Sequence, residues 1–339
     1  MSVPFISVTV TSYNYEKYIL RQLNSIKNQS FQDYEIIVAD DCSKDGSVLL
    51  IEKFIEENPQ LNIKFIKNEK NIGLHRIRNQ VLNAAAGEYI MFCDSDDWMD
   101  PDCLEELACE AKRTNADRII SEIRDVDQNG KTLQVQKFGD IPSKWMNDLH
   151  QGALYRREIF VKNKIQFENV RAADNFYIAM TYNCYCKKAA FVRKPVYNWF
   201  IHTDSASGSK KKVSQLTGIN MVKSVLKELS PVLSKIETKE DEDLFIYQMI
   251  KFYCVSLYHY YRYVNVKETI QAYYRIRSMF REFYPDYQKN PYITLFKKSP
   301  SRKYAQIITW ITLKAEKLHC LPVVLVMYHF VSKFHYFNI

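Results

Sequence analysis

Glu88-Tyr89-Ile90-Met91-Phe92-Cys93-Asp94-Ser95-Asp96-Asp97 passes from a short apolar run into three carboxylates within four residues. The apolar half reads as a buried strand, and the abrupt acidic end marks where that strand leaves the core. Carboxylates this close repel one another, so the row implies a positive partner. A divalent cation is the expected one, because Mg²⁺ and Mn²⁺ take oxygen ligands, commonly one or two carboxylates together with substrate phosphates. The alternative is that the aspartates serve only as helix N-caps. Open α/β sheets hold ligands at the carboxyl ends of their strands. The segment therefore predicts a metal-bound phosphate compound at a sheet edge.

Upstream, strand and helix patterns alternate. Phe5–Thr11 is β-branched and apolar; Glu16–Asn28 carries Ile19, Leu23 and Ile26 on one helical face. Tyr34–Ala39 is a second strand, ending in Asp40-Asp41, and Ser47–Glu57 a second helix, stopped near Pro59. Ile63–Lys67 is a third strand, Leu74–Ala86 a third helix with Gly87 expected as its C′ residue, and Tyr89–Cys93 a fourth strand. This order predicts an α/β fold: a Rossmann-like, mostly parallel sheet with right-handed crossovers and flanking helices. The first strand-to-helix turn, Thr11-Ser12-Tyr13-Asn14-Tyr15, has neither a G-x-G-x-x-G nor a G-x-x-x-x-G-K-[ST] pattern, which excludes a standard dinucleotide fingerprint and a P-loop.

Downstream, a helix runs from Pro101 to about Asn115 and Ile119–Ile123 reads as a strand. Residues 125–150 read as loop around an Asn129-Gly130 turn, and 150–205 as a mixture of short elements. Helical patterns follow near 214–229, 240–264 and 266–283. The polar run Ser205–Lys212 is linker-like, so the expected division is a first domain at 1–208 and a mainly helical, basic region at 209–339.

Charge follows that division. Of the net +8, residues 1–204 carry about −3 and residues 205–339 about +11. The C-terminal part should face something anionic. The N-terminus has no basic stretch leading into an apolar one, so a secretory signal is not expected. The eight cysteines lack metal-binding spacing, Cys184-x-Cys186 being too tight, and are expected as reduced thiols of a cytoplasmic protein. The longest apolar run, Cys320–Val331, contains Pro322 and is too short to span a bilayer.

In a parallel sheet, Thr11/Tyr13, Asp40/Asp41 and Asp94/Asp96/Asp97 share one rim and can converge on one pocket. Tyr13 could stack on a base and Asp41 accept from a base N–H. This arrangement resembles the family-two inverting glycosyltransferases with the GT-A fold. The matching blocks are Val8–Asn14, Gln29–Ser47, Asn71-Ile72-Gly73 with Arg78-Asn79, and Ala86–Asp97, closely over roughly the first 110 residues and more weakly to about residue 205.

The resemblance implies that Thr11, Tyr13 and Asp41 contact the nucleobase, usually uracil, and that Arg78 lies near the nucleotide. Asp94, Ser95 and Asp96 would belong to the DxD-type region that holds the ribose and diphosphate. The same region would hold Mn²⁺ or Mg²⁺, with Asp96 and Asp97 as the candidate ligands and the choice among Asp94, Asp96 and Asp97 left open by the sequence. His202 would ligate the metal or bind the diphosphate. It implies further that Asp174 is the catalytic base. The family's usual acidic pair is reduced here by Ala173, and an Arg usual before the His position is Phe200. The implied function is a metal-dependent, inverting transfer from a nucleotide-diphospho-sugar, a UDP-sugar being expected, to a hydroxyl of a surface glycan or lipid-linked acceptor. A non-catalytic sugar-nucleotide-binding or scaffolding protein is the alternative. A nucleotidyltransferase would need a Gly-rich basic loop that Thr11–Tyr15 lacks.

In the C-terminal region, aromatics at helical spacing between Phe245 and Tyr274 are expected as core or interface. The basic runs Lys210-Lys211-Lys212 and Lys297–Lys303 flank them. Peripheral contact with the inner face of the cytoplasmic membrane is the first expectation and a homo-oligomer the second. No nucleic-acid-binding module is recognised.

Overall fold

The computed structural model describes residues 3–138, 143–145, 150–170, 173–202, 215–259, 265–296 and 303–331. β1 (Ile6–Ser12), α1 (Ile19–Lys27), β2 (Tyr34–Asp40), α2 (Ser47–Glu57), β3 (Ile63–Lys67), α3 (Leu74–Ala84) and β4 (Tyr89–Asp94) follow in order. Their bounds lie within three residues of those read from the sequence. The four strands are parallel in the order β3-β2-β1-β4. Every residue of β1 and β2 is buried, as expected of a sheet covered on both faces. Val8, Val10, Ile36, Val38 and Met91 form a core with Leu23 and Ile26 of α1. Full burial of each such side chain contributes about 1.5–3 kcal/mol.

β5 (Trp98–Met99), α4 (Cys103–Thr114), β6 (Arg118–Val126), β7 (Thr132–Gln136), β8 (Ala153–Arg156), α5 (Arg157–Asn163), α6 (Asp174–Tyr185) and β9 (Ala189–Phe200) come next. They extend the sheet as β4-β8-β6-β9-β5, with β7 paired to β6. β8 is antiparallel to β4 and β6, whereas β6 and β9 are parallel. Three strands, β7, β8 and β9, therefore occupy regions read as loop or short elements. β7 is largely exposed, so no apolar run marks it. Arg193-Lys194-Pro195 interrupts the apolar pattern of β9, and the strand's register against β6 shifts where Pro195 pairs with Glu122.

Gly87 does not close α3. The helix ends at Ala84, with Ala85 as its extended C-cap. Glycine is needed at 87 because a β-carbon there would lie 2.6 Å from the Ser7 backbone nitrogen. Gly87 N–H donates to Ser7 Oγ (2.8 Å), and Ser7 Oγ–H donates to Glu35 Oε1 (2.7 Å). Glu35 also accepts from Ala86 N–H (2.7 Å) and pairs with Lys64 (2.9 Å). This buried knot fixes the entry of β4, and hence the position of its acidic end.

Burial works to raise the Glu35 pKa, but the Ser7, Ala86 and Lys64 contacts outweigh it and hold the group below its ordinary value. A lowered carboxylate pKa stabilises the fold above the unfolded value of about 4.3, and that contribution is lost as pH falls. Glu35→Gln should therefore be less stable than the parent at pH 7. Urea midpoints measured from pH 7 to 3 should show the gap narrowing below about pH 4. A gap that stays constant would remove the ionised carboxylate from this account.

The described residues fall into two compact units. One comprises 3–137, 150–169 and 174–202; the other comprises 138, 143–145, 170, 173 and everything from 215 onward. The Ser205–Lys212 linker lies outside the described residues, as does the Lys210–Lys212 run. The second unit contains α7 (Gln215–Leu229), α8 (Lys239–His259), α9 (Val266–Phe283), α10 (Lys303–Lys317) and α11 (Leu321–Val331). Its aromatics are mostly core: Phe245, Tyr247, Tyr253, Tyr258 and Tyr273 are buried, whereas Tyr274 is exposed. At its centre the fully buried Glu316 accepts from Tyr253 (2.7 Å), Arg277 (3.0 Å), Gln288 (2.6 Å) and Tyr287. No helix among the described residues is long and apolar enough to cross a membrane.

Candidate functional site

The parallel register brings the strand ends together. Thr11 pairs with Ala39 on one side and Asp94 on the other, while Ser12 pairs with Asp40. The residues following β1, β2 and β4 therefore emerge on one rim. Ser95 Oγ–H donates to the Thr11 carbonyl (2.5 Å), tying the acidic turn to β1. Thr11 is buried, and Tyr13 projects with 43% of its surface exposed. The Tyr13 loop is laced to the turn after β2: Asn14 N–H donates to Ser43 Oγ (2.8 Å) and Lys44 N–H to Asn14 Oδ1 (2.8 Å).

The two aspartates after β2 separate. Asp40 is fully buried and holds its own turn by accepting from Ser43 N–H (2.8 Å) and Ser43 Oγ–H (2.6 Å). Asp41 reaches the loop before α3, where its carboxylate accepts from Ile72 N–H (2.8 Å) and Gly73 N–H (2.9 Å). Gly73 has φ +91°, a conformation that favours glycine. Asp41 therefore organises the N-terminus of α3, and its remaining lone pairs can still accept.

Arg78, on α3, is the hub. One terminal nitrogen donates to Asp94 Oδ1 (2.8 Å), and the other donates to Asp174 Oδ2 and to Asn175 Oδ1 (2.8 Å). Its guanidinium lies 5.5 Å from the Phe167 ring centroid and is almost fully buried. Burial acts to lower the Arg78 pKa, but Asp174 and Asp94 raise it overall. Asp174 opens α6 and is one hydrogen bond from the same cation that holds the β4 carboxylate.

The three acids of the opening segment occupy three different environments. Burial works to raise the Asp94 pKa; Arg78 and His150 overcome it and hold the group far below the usual carboxylate range. Asp96 is raised by burial and by Asp94, with His202 opposing. Asp97 is pushed well above its ordinary value by burial, then by Asp96 and Asp94. It accepts from Tyr197 O–H (2.9 Å) and Phe200 N–H (2.9 Å), so its two oxygens anchor β9. Only Asp96 faces His202, with Oδ2 2.9 Å from Nε2.

Among the described residues no three His, Cys, Asp or Glu side chains cluster as a ready metal cage. Asp96 and His202 nevertheless fit a hard cation that keeps the remainder of its shell on substrate phosphates. The Asp96 pKa is raised first by burial and then by the negative charge of Asp94, and only the latter is what such a cation would offset.

Three contributors were not read from the sequence. Gln151 donates to Asp94 Oδ2 (2.8 Å), and buried His150 lies 3.8 Å from Asp94 Oδ1. Both sit beside a stretch read as loop, where no periodicity points inward. Arg21, on α1, donates to the Asp96 carbonyl (2.5 Å) and packs 3.9 Å over Trp98 and 4.5 Å over Phe200. A guanidinium from α1 therefore stacks on the Phe200 ring, and His202 stacks on the same ring at 4.5 Å.

Residues 7–176 match the model of glycosyl transferase family 2. The putative glycosyltransferase EpsH of Bacillus subtilis is 29% identical over 60% of this chain and 63% of its own. The poly(ribitol-phosphate) beta-N-acetylglucosaminyltransferase TarS of Staphylococcus aureus is 31% identical over 50% of this chain and 30% of its own. The chain thus spans less than two thirds of either relative. A crystal structure of TarS 1–349 with UDP superposes with a TM-score of 0.60 at 19% identity, covering 85% of this chain and 93% of that one. The mannosyltransferase PcManGT from Pyrobaculum calidifontis, in complex with GDP-Man and Mn²⁺, gives 0.55 at 13% identity, covering 94% and 89%. The shared fold is GT-A-like, followed here by a helical C-terminal region.

Proposed function

The chain belongs to glycosyl transferase family 2, and on that premise we propose that it transfers a sugar from a nucleotide-diphospho-sugar to an acceptor hydroxyl. The observation that carries this reading is the Arg78 bridge. One buried guanidinium joins the β4 acidic end to Asp174, which lies 96 positions beyond Arg78 in the chain.

Tyr13 is the exposed aromatic on which the base would stack, and Asp41 would use its remaining lone pairs to accept from a base N–H. UDP is the expected nucleotide, supported by the UDP complex of TarS; the GDP-Man complex of PcManGT makes GDP the comparison to run. Asp96 and His202 would hold Mn²⁺ or Mg²⁺, with Asp97 acting through β9. Such an ion, when bound, would offset the charge developing on the departing diphosphate. Asp174 would accept the proton of the attacking hydroxyl. The new bond forms at the anomeric carbon opposite the breaking bond to diphosphate oxygen, so configuration inverts. A surface glycan or lipid-linked glycan is the proposed acceptor class; TarS, by its name, acts on a poly(ribitol-phosphate).

The test is calorimetric titration of the full chain with UDP, GDP and CDP, with and without Mn²⁺. UDP should bind with a metal-dependent component. Loss of outer-shell support alone costs about 10–100-fold in metal affinity, so Asp96→Asn should weaken that component by about tenfold or more. Folded protein that binds none of the three nucleotides would favour a scaffold. UDP binding with no UDP release from any UDP-sugar would favour a non-catalytic binder.

A further inference from the structure

We infer that the outer face of α10 and α11 is a docking surface for an anionic lipid membrane. Along α10, Tyr304, Ile307 and Ile311 are exposed, from 38% at Ile307 to 42% at Ile311, and Leu318, in the turn directly after the helix, is 72% exposed. Tyr304, Ile307, Ile311 and Lys314 recur at intervals of three and four residues, which places them on a single helical stripe. Val323 and Met327, one turn apart on α11, add 60% and 63% exposed apolar side chains. α10 and α11 pack against each other, so the two stripes belong to neighbouring helices of one unit. Apolar residues in soluble proteins are commonly exposed one at a time, whereas grouped exposure marks contact surfaces.

Charge selects the occupant. Lys303, Lys314 and Lys317 are exposed on α10. Across α10 and α11 the only carboxylate is Glu316, and it is fully buried in the network with Tyr253, Tyr287 and Arg277. The face is therefore apolar and cationic with no exposed acid. A second copy docked symmetrically would bring lysines to lysines with no carboxylate to meet them. An anionic bilayer meets both features: it takes the apolar side chains into the headgroup boundary and attracts the lysines. This inference does not depend on the catalytic reading.

Flotation of the full chain with vesicles tests it. The protein should rise with phosphatidylcholine vesicles containing about one third phosphatidylglycerol, not with phosphatidylcholine alone, and binding should weaken with added salt. The double variant Ile307→Asp/Ile311→Asp should lose vesicle binding while its UDP titration and thermal midpoint match the parent. Should that variant misfold, Lys314→Glu/Lys317→Glu serves instead, with vesicle affinity reduced by about tenfold or more, since each basic residue near an anionic surface contributes about fivefold. Three outcomes overturn the inference: no binding to anionic vesicles, binding that the variants leave intact, or a dimer in light scattering that Ile307→Asp/Ile311→Asp converts to monomer. Vesicle binding without nucleotide binding would refute the proposed function and leave this surface standing.

Discussion

Asp174→Asn is expected to lower kcat by about 10²–10⁴-fold, the range supplied by general-base groups, with UDP affinity little changed. Asparagine keeps the size of the side chain and an oxygen that can accept from Arg78. It lacks a carboxylate to receive the acceptor proton. The loss should fall on kcat rather than on donor binding, because proton removal belongs to the transition state. Steady-state kinetics and nucleotide titration on the same preparation decide it. An equal fall in both would mean that Asp174 shapes the donor site through Arg78. Unchanged turnover would end its candidacy as the base.

Removing the hub should have the largest effect on stability. Arg78→Met leaves Asp94 and Asp174, now held by one buried cation, without it. Breaking a buried ion pair by deleting one partner costs about 3–5 kcal/mol, because the remaining charge stays desolvated. Asp94 should then lose the cation that holds its pKa down, and burial should dominate. Urea unfolding should show the loss directly. Arg78→Lys should recover only part of it, since one ammonium cannot reproduce a planar fork serving Asp94, Asp174 and Asn175 together. An Arg78→Met protein within about 1 kcal/mol of the parent would show that Asp94 and Asp174 do not need this cation to stabilise the fold.

Much of the first half was legible from local pattern. β1 to β4 and the three helices between them show continuous apolar strand runs or 3.6-residue periodicity, and their strand ends carry Thr11, Asp40, Asp41 and Asp94. β7 and β9 were not legible. An exposed edge strand, and a strand whose apolar pattern is interrupted by Arg193-Lys194-Pro195, form through pairing with β6 rather than through their own composition. Gly87 was legible as a special position but not for the right reason, because its constraint is the approach of Ser7, 80 residues away.

The acidic row shows the same division. The sequence alone determined that Asp94, Asp96 and Asp97 leave a buried strand at a sheet edge, and that mutual repulsion demands compensation. Only the tertiary structure decided how each is compensated: Asp94 by Arg78 and Gln151, Asp96 by His202, and Asp97 by Tyr197 and the Phe200 amide. Consecutive residues in a turn point in different directions, so neighbours in the chain acquire different neighbours in space. Those partners come from α3, the segment before β8, β9 and the residues directly after β9, and it is long-range strand register, not local periodicity, that brings them to one rim.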